Sequence, residues 1–145
     1  MYENTYRVNC DCHAVELEMH GDPVVRAYCH CQDCRNLLDT PFNSITAWDS
    51  EKVTVQQGED NLLEYKYPGK AMMRYSCMNC GELLFNTNKY EWRLVSQTLV
   101  RKCNSNSLPE ALQSDKQFYY EERVVDIADQ LPKYLQDIDG PLYEK

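Results

Sequence analysis

Apolar and polar residues alternate with period two over residues 14–19, where Val15, Leu17 and Met19 share one face and Glu16 and Glu18 the other. That period predicts a half-buried strand. Further short runs of strand type occupy residues 24–29, 44–48, 53–57, 61–67, 72–76, 83–86 and 92–99. The turn-prone Asp49-Ser50 predicts that 44–48 and 53–57 pair with each other. Helical signals are sparse: a short helix over 33–38, another over 109–112 with Pro109 in its first turn, and a third over 124–131 ended by Pro132. Many short strands separated by turns predict a mainly β fold, a small sandwich or open barrel with a few short helices. No repeat or linker divides residues 1–145, which read as a single domain. The tail, 133–145, carries Gly140-Pro141 and is expected to wrap the surface.

Composition narrows the class. A 43% hydrophobic content with 11 Tyr and 2 Trp is enough for a packed core in 145 residues. The net charge of −8, from 23 acidic and 15 basic residues, comes without any cluster of Lys and Arg. Phosphate backbones and anionic membrane surfaces are therefore poor partners. The segment 1–9 carries Glu3 and no basic region followed by an apolar core, so it does not read as a signal peptide. A cytoplasmic setting is expected, where thiols stay reduced.

Eight cysteines then change the picture. All but Cys103 fall into tight groups: Cys10-x-Cys12, Cys29-x-Cys31-x-x-Cys34 and Cys77-x-x-Cys80. In a reducing compartment such spacings suit pairs of thiolates on one metal ion better than disulfides. Gly81 after Cys80 favours a zinc knuckle over a redox C-x-x-C, because glycine lets the chain turn sharply beneath the metal.

Ligand counting divides the seven thiols. Cys10, Cys12, Cys77 and Cys80, two pairs distant in sequence, make a closed four-ligand zinc site that would tie the N-terminal strand to the middle of the sheet. Cys29, Cys31 and Cys34 leave a fourth position open on a second zinc. That cluster could also close on Cys103 or His30, or consist of free thiols. His30 is expected to point away from the metal, as a supporting or surface residue, and His13 to support rather than ligate. Cys103 reads as a small buried side chain. Arg35 and Arg74 could each attract a carboxylate or simply lie on the surface.

The ordered words Cys10-Asp11-Cys12-His13-Ala14-Val15, Cys29-His30-Cys31-Gln32-Asp33-Cys34-Arg35 and Cys77-Met78-Asn79-Cys80-Gly81 resemble the glutathione-dependent formaldehyde-activating enzyme family, which includes centromere protein V. Pro41-Phe42 and Asp129-Gln130-Leu131-Pro132 are similar too, so the resemblance runs over about 10–132. It implies a β fold related to methionine-R-sulfoxide reductases, with one structural Cys₄ zinc and one three-cysteine zinc whose ligands Cys29, Cys31 and Cys34 are catalytic. It implies a carbon–sulfur lyase that joins glutathione and formaldehyde as S-hydroxymethylglutathione. The alternative is a non-catalytic zinc module that binds a thiol ligand or a protein partner. The chromatin-binding role of the centromere branch would call for a basic run, which this sequence lacks. Three positions depart from the family's habit: His13 stands where Gly is usual, Leu37-Leu38-Asp39-Thr40 where small residues are common at the expected pocket rim, and Glu82 where Thr is frequent.

Overall fold

The computed structural model describes residues 4–137 and 140–144; residues 1–3 of the N-terminal segment and 138, 139 and 145 of the tail lie outside the described residues. Its elements follow the short-strand pattern. In chain order they are β1 (Thr5–Asn9), β2 (Glu16–His20), β3 (Val25–Cys29), α1 (Gln32–Leu38), β4 (Asn43–Trp48), β5 (Val53–Gln57), β6 (Leu62–Lys66), β7 (Met73–Cys77), β8 (Leu83–Thr87), β9 (Arg93–Ser96), α2 (Gln97–Lys102) and β10 (Lys116–Phe118). The strands form two sheets, one ordered β1-β2-β5 and one ordered β10-β3-β4-β9-β8-β7-β6. All pairings are antiparallel except β10 with β3.

Burial alternates cleanly on β3, whereas on β2 Glu18, expected on the polar face, is buried along with its apolar neighbours. Leu17 and Met19 on β2 are fully buried, as is Val15 just before it, and they pack with Trp48, Leu84, Phe85 and Val95 in the larger core cluster. Trp48 stays satisfied there by donating its Nε1–H to Thr46 Oγ1 at 2.9 Å, while Thr46 donates onward to the Val95 carbonyl. The second cluster, Val25, Ala27, Cys29, Cys34, Ile45, Ala47, Leu94 and Phe118, lies on β3, β4, β9, β10 and α1.

Several expectations need correction. Residues 44–48 and 53–57 do not pair: β4 sits between β3 and β9, whereas β5 joins β2 in the other sheet. A single-turn helix at Ser50–Lys52 replaces the expected turn and carries the chain between sheets. The strand over 92–99 stops at Ser96, whose side chain accepts from the Thr98 N–H at 3.0 Å and starts α2. The helix over 109–112 is a single 3₁₀ turn with Pro109 as its cap. Residues 124–131 form no helix.

The tail does more than wrap the surface. The Gln117 N–H donates to the Pro132 carbonyl and the Tyr134 N–H to the Gln117 carbonyl, both at 2.9 Å, and Gln117 bridges Lys133 in parallel. Tyr119 and Tyr120 donate their N–H groups to the carbonyls of Gln136 and Tyr134. The tail thus takes up hydrogen bonds that the short edge strand β10 would otherwise leave open.

Candidate metal centres and the adjoining cavity

The first centre is built where two strands end. Cys10 follows β1 directly and Cys77 closes β7; Cys12 and Cys80 lie in the turns beyond. The four sulfurs lie within 4.8 Å of one another. Cys10 and Cys12 are 3.7 Å apart and Cys12 and Cys77 3.6 Å. Four sulfurs about 2.3 Å from one ion would stand ~3.8 Å apart in a tetrahedron, so the spacing fits a metal. All eight cysteines are free thiols.

Backbone geometry prepares these sulfurs to be thiolates. Cys10 Sγ accepts the Val15 N–H at 3.3 Å; Cys77 Sγ accepts from Asn79 N–H, Cys80 N–H and Asn61 Nδ2. Burial pushes the Cys10 thiol up to about 11, which a cation would have to offset. The hydrogen bond from the Asn79 side chain lowers Cys12. At Cys77 burial opposes ionisation, yet the Cys80 and Asn79 N–H groups bring the thiol below its ordinary value. Gly81, at φ +83°, makes the sharp turn the knuckle needs.

Two of the departures from the family pattern are explained at this centre. His13 adopts φ +63°, a left-handed conformation that glycine takes freely, and its Nδ1 lies 3.0 Å from Asn9 Nδ2. Glu82 accepts the Asp11 N–H at 2.8 Å, and Lys102 pairs with both Glu82 and Asp11. The acidic side chain therefore straps one knuckle to the other.

The second centre forms at a strand-to-helix junction. Cys29 ends β3, Cys31 caps α1 and accepts the Cys34 N–H at 3.2 Å, and Cys34 lies in the first turn. The three sulfurs also lie within 4.8 Å of one another, with Cys29 and Cys34 3.8 Å apart. Hydrogen bonds from the Cys29 and Cys34 thiols lower Cys31 to about 3. Cys29 and Cys34 are driven up in turn, each most by its bond within the trio. Without a cation one thiolate is favoured at the expense of two; a divalent ion would relieve that conflict. Both clusters fit a metal, and their all-sulfur donor sets suit zinc.

No fourth protein ligand joins the trio among the described residues. Cys103 is elsewhere, exchanging hydrogen bonds with the Asn9 backbone at 3.3 Å. His30 points away as expected, but it is fully buried, never a surface residue. Its Nε2 lies 2.8 Å from Gln117 Oε1 and its Nδ1 has no partner. Gln117 Nε2 donates to Asp129, so its Oε1 accepts and His30 carries its proton on Nε2. Arg35 reaches the carbonyls of His30 and Glu122, and Arg74 the carbonyl of Leu37. Neither guanidinium borders the cavity beside the trio, and residues 37–40 do not form its rim.

That cavity measures about 550 Å³. All three thiols of the second centre border it and none of the first does. Its other walls include Lys70, Lys89, Asp33, Asp137, Tyr90, Trp92 and Tyr119. Cysteine spacing located the thiols and the Asp33 between them, but no motif marks the other wall residues, which arrive from four separate stretches of chain.

A mainly β protein with paired thiol clusters and a cavity on one of them is the class that fold and site define. The model for the glutathione-dependent formaldehyde-activating enzymes matches residues 5–122, and the chain belongs to that family. An uncharacterized lyase of Schizosaccharomyces pombe is 31% identical over 80 residues, 55% of this chain and 56% of that protein. The chain thus matches little more than half the length of that curated relative. A crystal structure of a Rhodobacter sphaeroides protein, 20% identical, aligns with a TM-score of 0.53 over 71% of this chain and 97% of its own. At that identity the likeness concerns the fold alone. No helix among the described residues is long and apolar enough to cross a membrane.

Proposed function

We propose that this chain joins glutathione to formaldehyde as S-hydroxymethylglutathione, acting as a carbon–sulfur lyase of its family in the cytoplasm. The observation that carries the reading is the cavity bordered by Cys29, Cys31 and Cys34 and by no thiol of the other cluster. In this reading Cys10, Cys12, Cys77 and Cys80 hold a structural zinc, and the trio holds a second zinc with one position open. The whole chain then works as one zinc-binding domain, with a wider kinship to methionine-R-sulfoxide reductases. When bound at the trio, zinc supplies Lewis acidity that makes an incoming thiol a better acid.

The protein's own residues do the rest. About 550 Å³ is within the range of small-molecule sites and admits a tripeptide. Two lysines and two aspartates border it, Lys70, Lys89, Asp33 and Asp137, which complements a ligand carrying two carboxylates and one ammonium. Lys70 and Lys89 take over the recognition that Arg35 and Arg74 cannot perform. Trp92, Leu94, Phe118 and Met72 exclude water from the sulfur and the aldehyde. Holding both reactants there makes a bimolecular addition effectively unimolecular.

Titration calorimetry of the zinc-loaded protein with glutathione tests the reading, with Cys31→Ser as control. Binding that disappears in the variant supports it and leads to formaldehyde turnover. No binding at millimolar glutathione overturns it and favours a zinc module that holds another thiol or a protein partner.

A further inference from the structure

Adding a thiol to an aldehyde moves electrons onto the carbonyl oxygen, and a hydrogen-bond donor aimed at that oxygen lowers the barrier. Most polar groups around the cavity are already engaged. Lys70 pairs with Asp33 at 3.4 Å, the Tyr90 hydroxyl donates to Asp137 at 3.2 Å, and Lys89 lies over the Tyr90 ring at 5.1 Å. Asn88 Oδ1 accepts the N–H groups of Tyr90 and Trp92. Asn86 Nδ2 has no partner, but it is closed off from solvent and a ligand oxygen could not reach it without rearrangement.

The Asn88 side-chain amide keeps its own donor, but Tyr119 is the residue that joins an unspent donor to packing against the core that holds the thiols. It borders the cavity, and its hydroxyl has no hydrogen bond among the described residues. It follows Phe118, the register partner of Cys29 across β10 and β3, and packs with Cys31 against the core that contains Cys29 and Cys34. Its backbone is left-handed, φ 53° and ψ 40°, which a bulky aromatic residue adopts only when its surroundings impose it. The tail imposes it here, through the Tyr119 N–H donating to the Gln136 carbonyl at 2.9 Å. The fold thus holds a strained residue in place, with its hydroxyl unspent, on the wall of the cavity that the three thiols also border.

We infer that the Tyr119 hydroxyl donates the hydrogen bond that stabilises the aldehyde oxygen during thiol addition, which makes Tyr119 a catalytic residue. The inference rests on the thiol–aldehyde reading above. A bond forms between the glutathione sulfur and the carbonyl carbon while the carbon–oxygen π bond breaks and its electron pair moves to oxygen. The proton given up by the thiol ends on that oxygen, so neither an oxidant nor a reductant is consumed. A phenol is protonated near neutrality and can donate throughout. In the reverse direction the same bond holds the product hydroxyl as the carbon–sulfur bond breaks.

Tyr119→Phe keeps the ring and removes only the donor. Exchange NMR with ¹³C-formaldehyde and glutathione gives the protein-dependent rate of adduct formation above background, and calorimetry on the same zinc-loaded samples gives glutathione affinity. The expected result is a fall in the protein-dependent rate on the order of 10²-fold, with affinity within twofold of wild type. A variant that keeps the wild-type rate overturns the inference and leaves the function standing. So does a variant whose affinity falls as far as its rate, since Tyr119 would then act in binding. A wild-type protein that gives no rate above background overturns the inference and the proposed reaction together.

Discussion

Gly81 and His13 show how much a single backbone angle carries at the first centre. Both take positive φ, one residue after the second cysteine of each knuckle. Gly81 adopts the angle without cost, and C-x-x-C-G announces it in the sequence. His13 must be held there, by its N–H to the Cys10 carbonyl at 2.9 Å and by Asn9, and its conformation was invisible in the residue itself. At the far side of the molecule Asp129 is as consequential. Burial resists its ionisation, but Lys133, the Leu131 N–H and Gln117 together hold its carboxyl below the ordinary 3.8. A depressed carboxylate pKa adds stability above the unfolded value and loses it as pH falls through the native one. Asp129→Asn should therefore unfold at lower urea than wild type at pH 7. The gap should narrow below about pH 3.8 and close under the native pKa; urea midpoints across a pH series check this.

Among the elements, β10 and the tail depend on each other. Three residues of strand pair with β3, and the tail supplies the acceptors for Tyr119 and Tyr120. Tyr143 stacks edge-on against Tyr120 at 5.0 Å, with Arg123 over both rings. Removing residues 133–145 should expose the amides of Tyr119 and Tyr120 to hydrogen exchange. It should also lower the melting temperature by roughly 5 °C or more, since about 1 kcal/mol corresponds to a few degrees at this chain length. Unchanged exchange at Tyr119 would show that the tail does not hold it. The short helix α1 was legible because its cap is a cysteine of the central motif. Helix α2 was not, although Ser96 and the Arg101-Lys102 end carry ordinary cap signals; the apolar run entering it has the composition of a strand.

For the whole molecule, the two centres should respond differently to loss of a ligand. The first joins segments that are 65 residues apart between Cys12 and Cys77, so the unfolded chain loses the most freedom when it closes. The second lies within a single strand–helix junction. Metal analysis should find about two zinc ions per chain in wild type. Cys77→Ser should lose cooperative unfolding along with its metal, whereas Cys31→Ser should keep a cooperative melt and about one zinc. A cooperative, folded Cys77→Ser protein would remove the structural role from the first cluster, and an unfolded Cys31→Ser protein would make the second one structural.

By itself the sequence determined the mainly β class, most strand positions and the division of seven cysteines into two groups. Strand positions and the C-x-C and C-x-x-C pairs are local, whereas joining Cys10 and Cys12 to Cys77 and Cys80 was legible only by ligand counting, since each pair alone leaves a metal half-coordinated. Only the tertiary structure decided that β4 and β5 part into different sheets, that His30 is buried on Gln117, and that Arg35 and Arg74 are spent on carbonyls. It also brought Lys70, Lys89, Trp92 and Tyr119 to the wall beside the trio. Each of these depends on contacts between residues far apart in the chain, where packing and hydrogen-bond supply prevail over local preference, and no spacing in the sequence records them.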